Sequence, residues 1–371
     1  MPNQHATTAG TAAYRNRFTD ILAEGHFHQA QDLWMSSLGL GSYLGETDMR
    51  TDEGYEAAVK RAFDLGCNVF DTASNYRLGR SEKNFGAAFT ELITDGKLAR
   101  EEIIVTTKGG YLPFENGMPR NQQEFVAYLE NTFVNPGICS LADFVQGSHC
   151  MTPGFLQNQL SNSLRNLQLD CIDVYYLHNP ESQFAEVTND EFYVRLRAAF
   201  EFLEIAVANG KIKFYGTATW NGYRTSSQSG DYLSLAKILA TAREVAGENH
   251  HFKVVQLPFN LAMTEALTLG SQPVNGQNLS VLEAAKDLDI TVMASASMFQ
   301  ARLASGLPPV VSEAFLGLQT DAQRAIQFTR SAPGITTALI GMSQVAHVEE
   351  NLAVAQMNPA TEAEFLQLFA Q

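Results

Sequence analysis

Four polar side chains that can exchange protons lie at or just after the ends of apolar runs. Asp71 ends the run CNVFD, and Tyr76 follows in the loop of FDTASNYRLGRSE. Lys108 ends EIIVTTK, and His178 ends CIDVYYLH. A carboxylate, a phenol, an amine and an imidazole that lie together can act as general acids and bases. Taken singly, each also has an ordinary structural explanation as a turn cap, a loop aromatic, a solvated amine or a buried histidine. The four form a candidate site only if the fold brings these strand ends together.

Apolar runs rich in β-branched residues alternate with long amphipathic stretches, which predicts alternating strands and helices. Strands in which polar and apolar residues do not alternate are typical of parallel sheets whose two faces are both buried, with helices packed against them. The predicted strands cover 35–41, 67–71, 102–108, 171–178, 211–219, 252–260, 290–296 and 335–341. Eight such units predict an α/β fold, a closed (β/α)8 TIM barrel with a long insertion after strand 3. An open, doubly wound sheet is the alternative. In a barrel, polar residues at the carboxyl ends of the strands are typical of an active site.

Capping residues indicate where several helices begin. Thr51 is a candidate N-cap for a helix over 51–66, which ends at Gly66. Thr152 and the following proline open a second helix. Ser343 is expected to cap the last helix of the barrel.

The chain is predicted to be one barrel domain over residues 1–371. Residues 1–30 are expected to form a flexible N-terminal arm, and residues 358–371 a short C-terminal helix on the outside. The segment 109–152 is longer than an ordinary connection between strand and helix. It is expected on the active-site face, as a lid or part of a substrate pocket, or else as an inert addition or partner surface.

The composition excludes several classes of partner. The formal net charge is −15, from 25 basic and 40 acidic residues, which argues against nucleic acid or anionic lipid as the main partner. No apolar run approaches the ~18 to 20 residues of a membrane span. The amino-terminal residues have no apolar signal core, so a cytoplasmic location is expected.

The cysteines and motifs exclude several kinds of site. Cysteines 67, 139, 150 and 171 form no CxxC pair, so neither a zinc site nor a redox pair is expected. Gly39, Gly41 and Gly45 resemble a dinucleotide fingerprint, but the spacing is too long and no helix opens at the third glycine. A metal-dependent barrel hydrolase built on Asp71 and His178 lacks further ligands, and no metal is expected.

Together these motifs resemble those of the aldo-keto reductase superfamily over roughly residues 33–357. The segments GSYLG, DTASNYR, TKGGYLPF, YYLHNP and GTATWNGYR indicate a less-studied, bacterial-type branch. The resemblance implies hydride transfer between a nicotinamide cofactor and a carbonyl or alcohol, with Tyr76 as general acid or base. Lys108 would lower the pKa of the phenol, Asp71 would orient Lys108, and His178 would position the carbonyl.

The resemblance also implies a set of cofactor-binding residues. Thr219 and Gln256 would bind the carboxamide, and Ser295 stands where the family often has a tyrosine, with Met298 as alternative packing for the ring. The adenosine end would be bound by residues of GMSQVAHVEEN, namely Ser343, His347, Glu350 and Asn351. NADP(H) is favoured over NAD(H) on family grounds, although His347 replaces the family's arginine.

Tyr43, Tyr111 and Trp220 lie near predicted strand ends and are candidates for lining a substrate pocket, or alternatively for packing at the barrel rim. The expected partner is a small-molecule carbonyl or alcohol. The alternative function is a non-catalytic cofactor-binding or regulatory protein on the same barrel. The physiological substrate and the oligomeric state stay open at this stage.

Overall fold

Eight parallel strands close into a barrel in the computed structural model, which describes residues 5–115 and 117–369. Around the barrel the strand order is β11-β12-β3-β4-β5-β6-β7-β8. Two short antiparallel hairpins, β1–β2 and β9–β10, lie outside it. The strands are β1 (Phe27–Ala30), β2 (Leu33–Ser36), β3 (Leu38–Gly41), β4 (Val69–Asp71), β5 (Ile104–Gly109), β6 (Ile172–His178), β7 (Ile212–Ala218), β8 (Phe252–Pro258), β9 (Gln272–Val274), β10 (Gln277–Leu279), β11 (Thr291–Ser295) and β12 (Ile335–Gly341).

Helices follow the strands and cover the outside of the barrel. Their amphipathic patterns explain this placement: α3, for example, buries Phe85, Ala88, Phe89 and Leu92 on one face. The helices are α1 (Thr8–Asn16), α2 (Met49–Asp64), α3 (Arg80–Thr94), α4 (Gln122–Leu129), α5 (Pro153–Leu167), α6 (Asn189–Ala208), α7 (Leu235–Ala246), α8 (Glu265–Thr268), α9 (Val281–Asp287), α10 (Pro309–Ala314), α11 (Asp321–Ser331), α12 (Val345–Leu352) and α13 (Glu362–Gln367).

The predicted (β/α)8 barrel is therefore confirmed, and its core has two parts. Successive side chains of a strand point to opposite faces, so each strand contributes to both parts. On β6, Tyr175 and Leu177 join the large outer cluster under the helices. Val174 and Tyr176, which alternate with them along the strand, belong to the smaller cluster. Together with side chains from β4, β5, β8 and β11, they fill the inside of the barrel.

One glycine is required by close packing between neighbouring strands. A Cβ atom built on Gly216 of β7 would lie 1.7 Å from the carbonyl oxygen of Val254 on β8. The register between these two strands also shifts between Tyr215 and Gly216. No side chain fits here without displacing a strand of the barrel.

The amino-terminal segment is folded, contrary to the expected flexible arm. Tyr14 of α1 is fully buried, and its hydroxyl donates hydrogen bonds to the carbonyls of Phe63 (2.5 Å) and Cys67 (3.1 Å). The backbone N–H of Ala6 donates to Asp173 of β6 at 2.6 Å. Strand β2 takes residues 35 and 36 of the predicted first barrel strand (35–41), and the barrel strand β3 itself begins at Leu38. Residues 1–4 lie outside the described part of the chain.

Two predicted helix caps are wrong. Helix α2 is capped by Asp48, which accepts a hydrogen bond from the N–H of Thr51 at 2.8 Å, so Thr51 lies inside the helix. Helix α12 begins after Gln344 without a side-chain cap, so Ser343 does not cap it. At the carboxyl end, α13 buries Phe365, and residues 370–371 of the predicted C-terminal helix lie outside the described residues.

The long segment after β5 has a small core of its own. Phe133, Phe144, Phe155 and Leu129 form an apolar cluster with Cys150, so the segment is held together by packing. Its two ends meet in an isolated antiparallel bridge between Tyr111 and His149. In the two described stretches of the chain, we find no helix with the length and apolarity needed to span a membrane.

Candidate active site

The four candidate residues converge at the carboxyl ends of three strands. Asp71 ends β4, Lys108 lies one residue before the end of β5, and His178 ends β6. Tyr76 begins a short 3-10 turn after β4, and Gly79 at its end has a φ of 81° before α3 begins. The closed, parallel arrangement brings these strand ends to one mouth of the barrel.

Asp71 and Lys108 form a buried ion pair. The Lys108 Nζ donates to Asp71 Oδ2 at 2.6 Å and to the carbonyl oxygen of Thr72 at 2.8 Å. The other carboxylate oxygen of Asp71 accepts from Thr106 Oγ1 at 2.6 Å and from Gln256 Nε2 at 2.8 Å. Lys108 is only 1% exposed. Its burial lowers the pKa of the ammonium, and the negative charge of Asp71 opposes this by raising that pKa. The lysine is therefore held in place by the carboxylate.

Tyr76 lies directly over this pair. The Lys108 Nζ is 4.9 Å from the centroid of the Tyr76 ring, and the ring contacts Tyr43 and His178 edge-on, with centroids 5.0 and 5.9 Å away. Burial raises the pKa of Tyr76 well above 10, and Asp71 and Tyr43 raise it further. Burial therefore sets the net direction of the shift, and the lowering expected from Lys108 does not prevail over it. Tyr76 is thus a neutral phenol.

His178 is also neutral and is anchored by a second histidine. Burial lowers the pKa of His178 well below 6.5, and Lys108 and His149 lower it further. The His149 ring lies between the carbonyl oxygen of His178, 2.7 Å from Nε2, and the amide nitrogen of Gln183, 2.7 Å from Nδ1. Because a carbonyl can only accept and an amide NH₂ can only donate, His149 carries its proton on Nε2. Burial lowers the pKa of His149 to about 4, in agreement with a neutral ring.

One cavity of about 620 Å³ joins this cluster to the loops after β11 and β12. Most of the residues predicted to bind cofactor or substrate line it. These are Tyr43, Tyr111, Thr219, Trp220, Gln256, Ser295, Met298, His347, Glu350 and Asn351, together with Asp71, Tyr76 and His178. Ser343 is the exception: it is half-buried between β12 and α12, and its carbonyl lies 2.4 Å from the position a Cβ atom on Gly54 would occupy.

Two polar atoms at the cavity have no hydrogen-bond partner in the described structure. Thr219 Oγ1 and Asn75 Oδ1 are both buried and unpaired, and both residues line the cavity. Buried polar atoms are nearly always paired, so an unpaired one indicates a missing partner such as a ligand. Gln256, by contrast, already gives its amide N–H to Asp71.

The loop after β11 has an unusual backbone where it lines the cavity. Ala296, Gln300 and Ala301 have φ values of 54°, 54° and 66°, and Phe299 between them has 44°. This left-handed conformation costs roughly 1–3 kcal/mol for each non-glycine residue and is concentrated at functional sites. Within this loop the N–H of Phe299 donates to the carbonyl of Ala296 at 2.7 Å, which closes a turn.

No group of three or more potential metal ligands occurs within residues 5–115 and 117–369. The charged residues that line the cavity, Asp71 and Glu350, are both acidic. The cavity is therefore suited to an organic ligand held by hydrogen bonds and apolar contacts.

The family model of the Aldo/keto reductase family matches residues 37–301. The chain belongs to this family. Aldo/keto reductases act on small-molecule carbonyls or alcohols with nicotinamide cofactors. Membership therefore makes the chain an oxidoreductase of this broad class, and the family prediction from the sequence is confirmed.

Relatives of this aldo/keto reductase have different names. A "Probable voltage-gated potassium channel subunit beta" of Oryza sativa subsp. japonica is 22% identical, and the match covers 88% of this chain and 89% of that relative. A "D-threo-aldose 1-dehydrogenase" of a Pseudomonas species is 30% identical over 45% of this chain and 44% of its own. An "L-glyceraldehyde 3-phosphate reductase" of Escherichia coli (strain K12) is 25% identical over 52% of this chain and 44% of its own.

Solved structures share the fold of this aldo/keto reductase. One is a Klebsiella pneumoniae aldo/keto reductase in complex with NADP and acetate, with a TM-score of 0.61 and 21% identity over 94% of this chain and 96% of that one. Another is a Bacillus halodurans aldo-keto reductase in its holo form, with a TM-score of 0.62 and 18% identity over 93% and 96%.

Sequence reasoning missed several residues at the cavity of this aldo/keto reductase. Asn179 lines it directly after His178 and has a φ of 45°. A polar residue next to a strand-end histidine was the signal available for it. Asn75, beside Tyr76, offered the same kind of signal. His149 gave none, because it lies far along the chain in the long segment and meets His178 only in the folded barrel.

Proposed function

We propose that the chain is an NAD(P)H-dependent oxidoreductase that interconverts an aldehyde or ketone and an alcohol, with Tyr76 as general acid and base. The observation that carries this proposal is the convergence of Tyr76, Lys108 and His178 at one end of a cavity long enough to continue to α12. The cofactor, when bound, supplies or accepts the hydride.

In the reducing direction, Tyr76 gives its proton to the carbonyl oxygen as that oxygen gains negative charge. Its raised pKa keeps the phenol protonated until the substrate oxygen is basic enough to take the proton. The Lys108 ammonium under the ring stabilises the negative charge left on Tyr76, and Asp71 keeps the ammonium in place. His178 contacts the Tyr76 ring edge-on and would orient the carbonyl oxygen toward the phenol.

The residues present fit a nicotinamide dinucleotide. Thr219 Oγ1 is a buried, unpaired hydroxyl suited to the carboxamide. Ser295 and Met298 would contact the nicotinamide ring, and Gln256, which also lines the cavity, would remain bonded to Asp71. Backbone N–H groups of the loop after β11 would be the donors to the phosphates, because no lysine or arginine is among the lining residues of the described chain.

The adenosine end would lie against α12. Glu350 and Asn351 would bind the adenine, with His347 beside the ribose and Ser343 outside the cavity lining. NADP(H) is the favoured cofactor, and NAD(H) is the alternative. The Klebsiella pneumoniae structures with NADP and NADPH support this preference through a shared fold.

The Tyr76→Phe substitution tests the proposal, because it removes the acidic proton and keeps the ring. We expect kcat for carbonyl reduction to fall by about 10²- to 10⁴-fold, with cofactor affinity, measured by NADPH fluorescence, nearly unchanged. The matched control is Tyr232→Phe, which removes a hydroxyl bonded to the Ser271 carbonyl away from the cavity. If Tyr76→Phe retains turnover, the proposed proton donor is wrong.

A second candidate is a non-catalytic cofactor-binding or regulatory protein. It is supported by the potassium channel β subunit names of relatives that match along most of their length. Purified protein that binds NADPH or NADH tightly but reduces no aldehyde in a broad panel would favour this candidate over the first.

A further inference from the structure

Two of the four cysteines meet inside the long segment that follows β5. Cys139 and Cys150 belong to no CxxC motif, so the sequence predicted no redox pair. The fold nevertheless brings them to the same small apolar core: Cys150 is fully buried in it, and the half-buried Cys139 packs against it. The thiol of Cys139 donates a hydrogen bond to the sulfur of Cys150. The two sulfurs are therefore neighbours, and both are free thiols.

Backbone packing keeps Cys139 in this position. Its N–H donates at 3.3 Å to the carbonyl of Phe133, which is buried in the same core. The carbonyl oxygen of the preceding residue, Ile138, lies 2.3 Å from the position that a Cβ atom on Gly154 would occupy, in the first turn of α5. Close packing of main chain on main chain therefore holds Cys139 beside the stretch that leads from Cys150 into α5.

The two thiols of this pair differ in acidity. The hydrogen bond from Cys139 lowers the pKa of Cys150, and so do hydrogen bonds from Thr152, whose Oγ1 is 3.3 Å from the Cys150 sulfur. The same hydrogen bond raises the pKa of Cys139, and burial raises it further. Because the thiolate is the reactive form of cysteine, Cys150 is the sulfur suited to attack an oxidant, and Cys139 is placed to attack Cys150 in turn.

The other two cysteines are buried thiols directed at the backbone. Cys67 donates to the carbonyl of Val69 at 3.4 Å, and Cys171 donates to the carbonyl of Ile172 at 3.6 Å. Burial raises the pKa of each thiol to about 12, which keeps both protonated at neutral pH. Such buried thiols are chemically inert, so they provide an internal comparison for the pair.

We propose that Cys139 and Cys150 form a reversible disulfide when hydrogen peroxide oxidises the protein. The inference goes beyond the proposed function and does not depend on it. The Cys150 thiolate attacks one peroxide oxygen, the O–O bond breaks, and the other oxygen takes up a proton and leaves as water, so that Cys150 becomes a sulfenic acid. The Cys139 sulfur then attacks the Cys150 sulfur: the S–S bond forms, the S–O bond breaks, and hydroxide leaves with the Cys139 proton as a second water. The two sulfurs together lose two electrons, which the peroxide gains.

The disulfide would act on the part of the segment that reaches the candidate active site. It closes a ring over residues 139–150, and His149 lies inside this ring, directly before Cys150. His149 Nε2 is 2.7 Å from the carbonyl oxygen of His178, and the N–H of Cys150 donates to the carbonyl of Gly110 at 2.8 Å. Oxidation therefore restricts the loop that holds the end of β6, because a cross-link removes conformations open to the free loop.

Counting thiols before and after treatment with hydrogen peroxide tests the proposal on the reduced, purified chain. After denaturation, the number of thiols that react with Ellman's reagent should fall from four to two and return to four with dithiothreitol. A protease that cleaves before aspartate identifies the pair, because Asp143 lies between the two cysteines. It separates peptide 95–142, which carries Cys139, from peptide 143–169, which carries Cys150. The two peptides should stay linked until they are reduced.

Single cysteine variants separate the two steps. Cys67→Ala is the matched control, and it should lose two of its three remaining thiols as the wild type does. Cys139→Ser should stop at the sulfenic acid of Cys150, which dimedone traps, whereas Cys150→Ser should leave Cys139 reduced. The proposal is overturned if the wild type keeps four thiols, if the disulfide involves Cys67 or Cys171, or if it links two chains. A sulfenic acid trapped on Cys139 in Cys150→Ser would overturn the assignment of Cys150 as the attacking sulfur.

Discussion

Replacing Lys108 by Met should reveal the cost of leaving the Asp71 carboxylate alone in the barrel. The two charges are 2.6 Å apart and their side chains are 1% and 6% exposed. At an effective dielectric constant near 20, the Coulomb attraction over this distance is about 6 kcal/mol, most of which offsets the desolvation of both groups. Removing one partner of such a pair costs about 3–5 kcal/mol. We expect about 3 kcal/mol, because Thr106 and Gln256 still donate to Asp71.

Urea unfolding at pH 7, followed by circular dichroism, measures this loss. The double variant Asp71→Asn/Lys108→Met removes both charges and should recover about 2 kcal/mol relative to Lys108→Met. Lys97→Met is the control: its ammonium is 3.0 Å from Asp95, but the two side chains are 61% and 45% exposed, so the urea midpoint should stay that of the wild type. The reasoning is refuted if Lys108→Met costs less than about 1 kcal/mol, or if the double variant is less stable than Lys108→Met.

Two further variants test the structure away from the ion pair. Burial raises the pKa of Glu181 from 4.5 to about 7, so its stabilising contribution is complete below pH 4.5 and is lost as the pH rises to 7. In the wild type this titration should cost at most about 3 kcal/mol of unfolding free energy between pH 4.5 and 7. Glu181→Gln should abolish that loss, which urea unfolding at pH 4.5, 6 and 8 would measure. A variant with the pH profile of the wild type would contradict this. Gly216→Ala should prevent folding or cost more than about 3 kcal/mol, because its Cβ meets the Val254 carbonyl. Gly230→Ala, where nothing lies within 4 Å, should be expressed and unfold like the wild type; equal stability of the two variants would show that β7 can shift.

The barrel and the proposed catalytic cluster could be predicted because the signals are local. Asp71, Lys108 and His178 each close a β-branched run, and parallel strands in a barrel end at a common face. The periodicity of the helices placed them between strands. The caps at Thr51 and Ser343 were misjudged, and so was the amino-terminal segment, which folds as α1 and the β1–β2 hairpin.

The remaining features depend on contacts between residues far apart in sequence. Gln256 bonds to Asp71, and His149 bonds to the carbonyl of His178, although nothing local links these pairs. The net direction of the Tyr76 pKa shift could not be predicted for the same reason, since it depends on how deeply the folded barrel buries the phenol. The left-handed residues Ala296, Phe299, Gln300 and Ala301 are not glycines, so their conformation could not be predicted from residue type.

The hydrogen bond from Gln256 to Asp71 joins β8 to β4, which lie on opposite sides of the eight-stranded ring. Asp71 thus braces the barrel across its diameter in addition to holding Lys108. A descendant that gave up catalysis would still be selected to keep both residues for folding, whereas Tyr76, at the cavity surface, would be free to drift. When such a descendant is sought among homologues, the tyrosine is therefore the informative position and the ion pair is not.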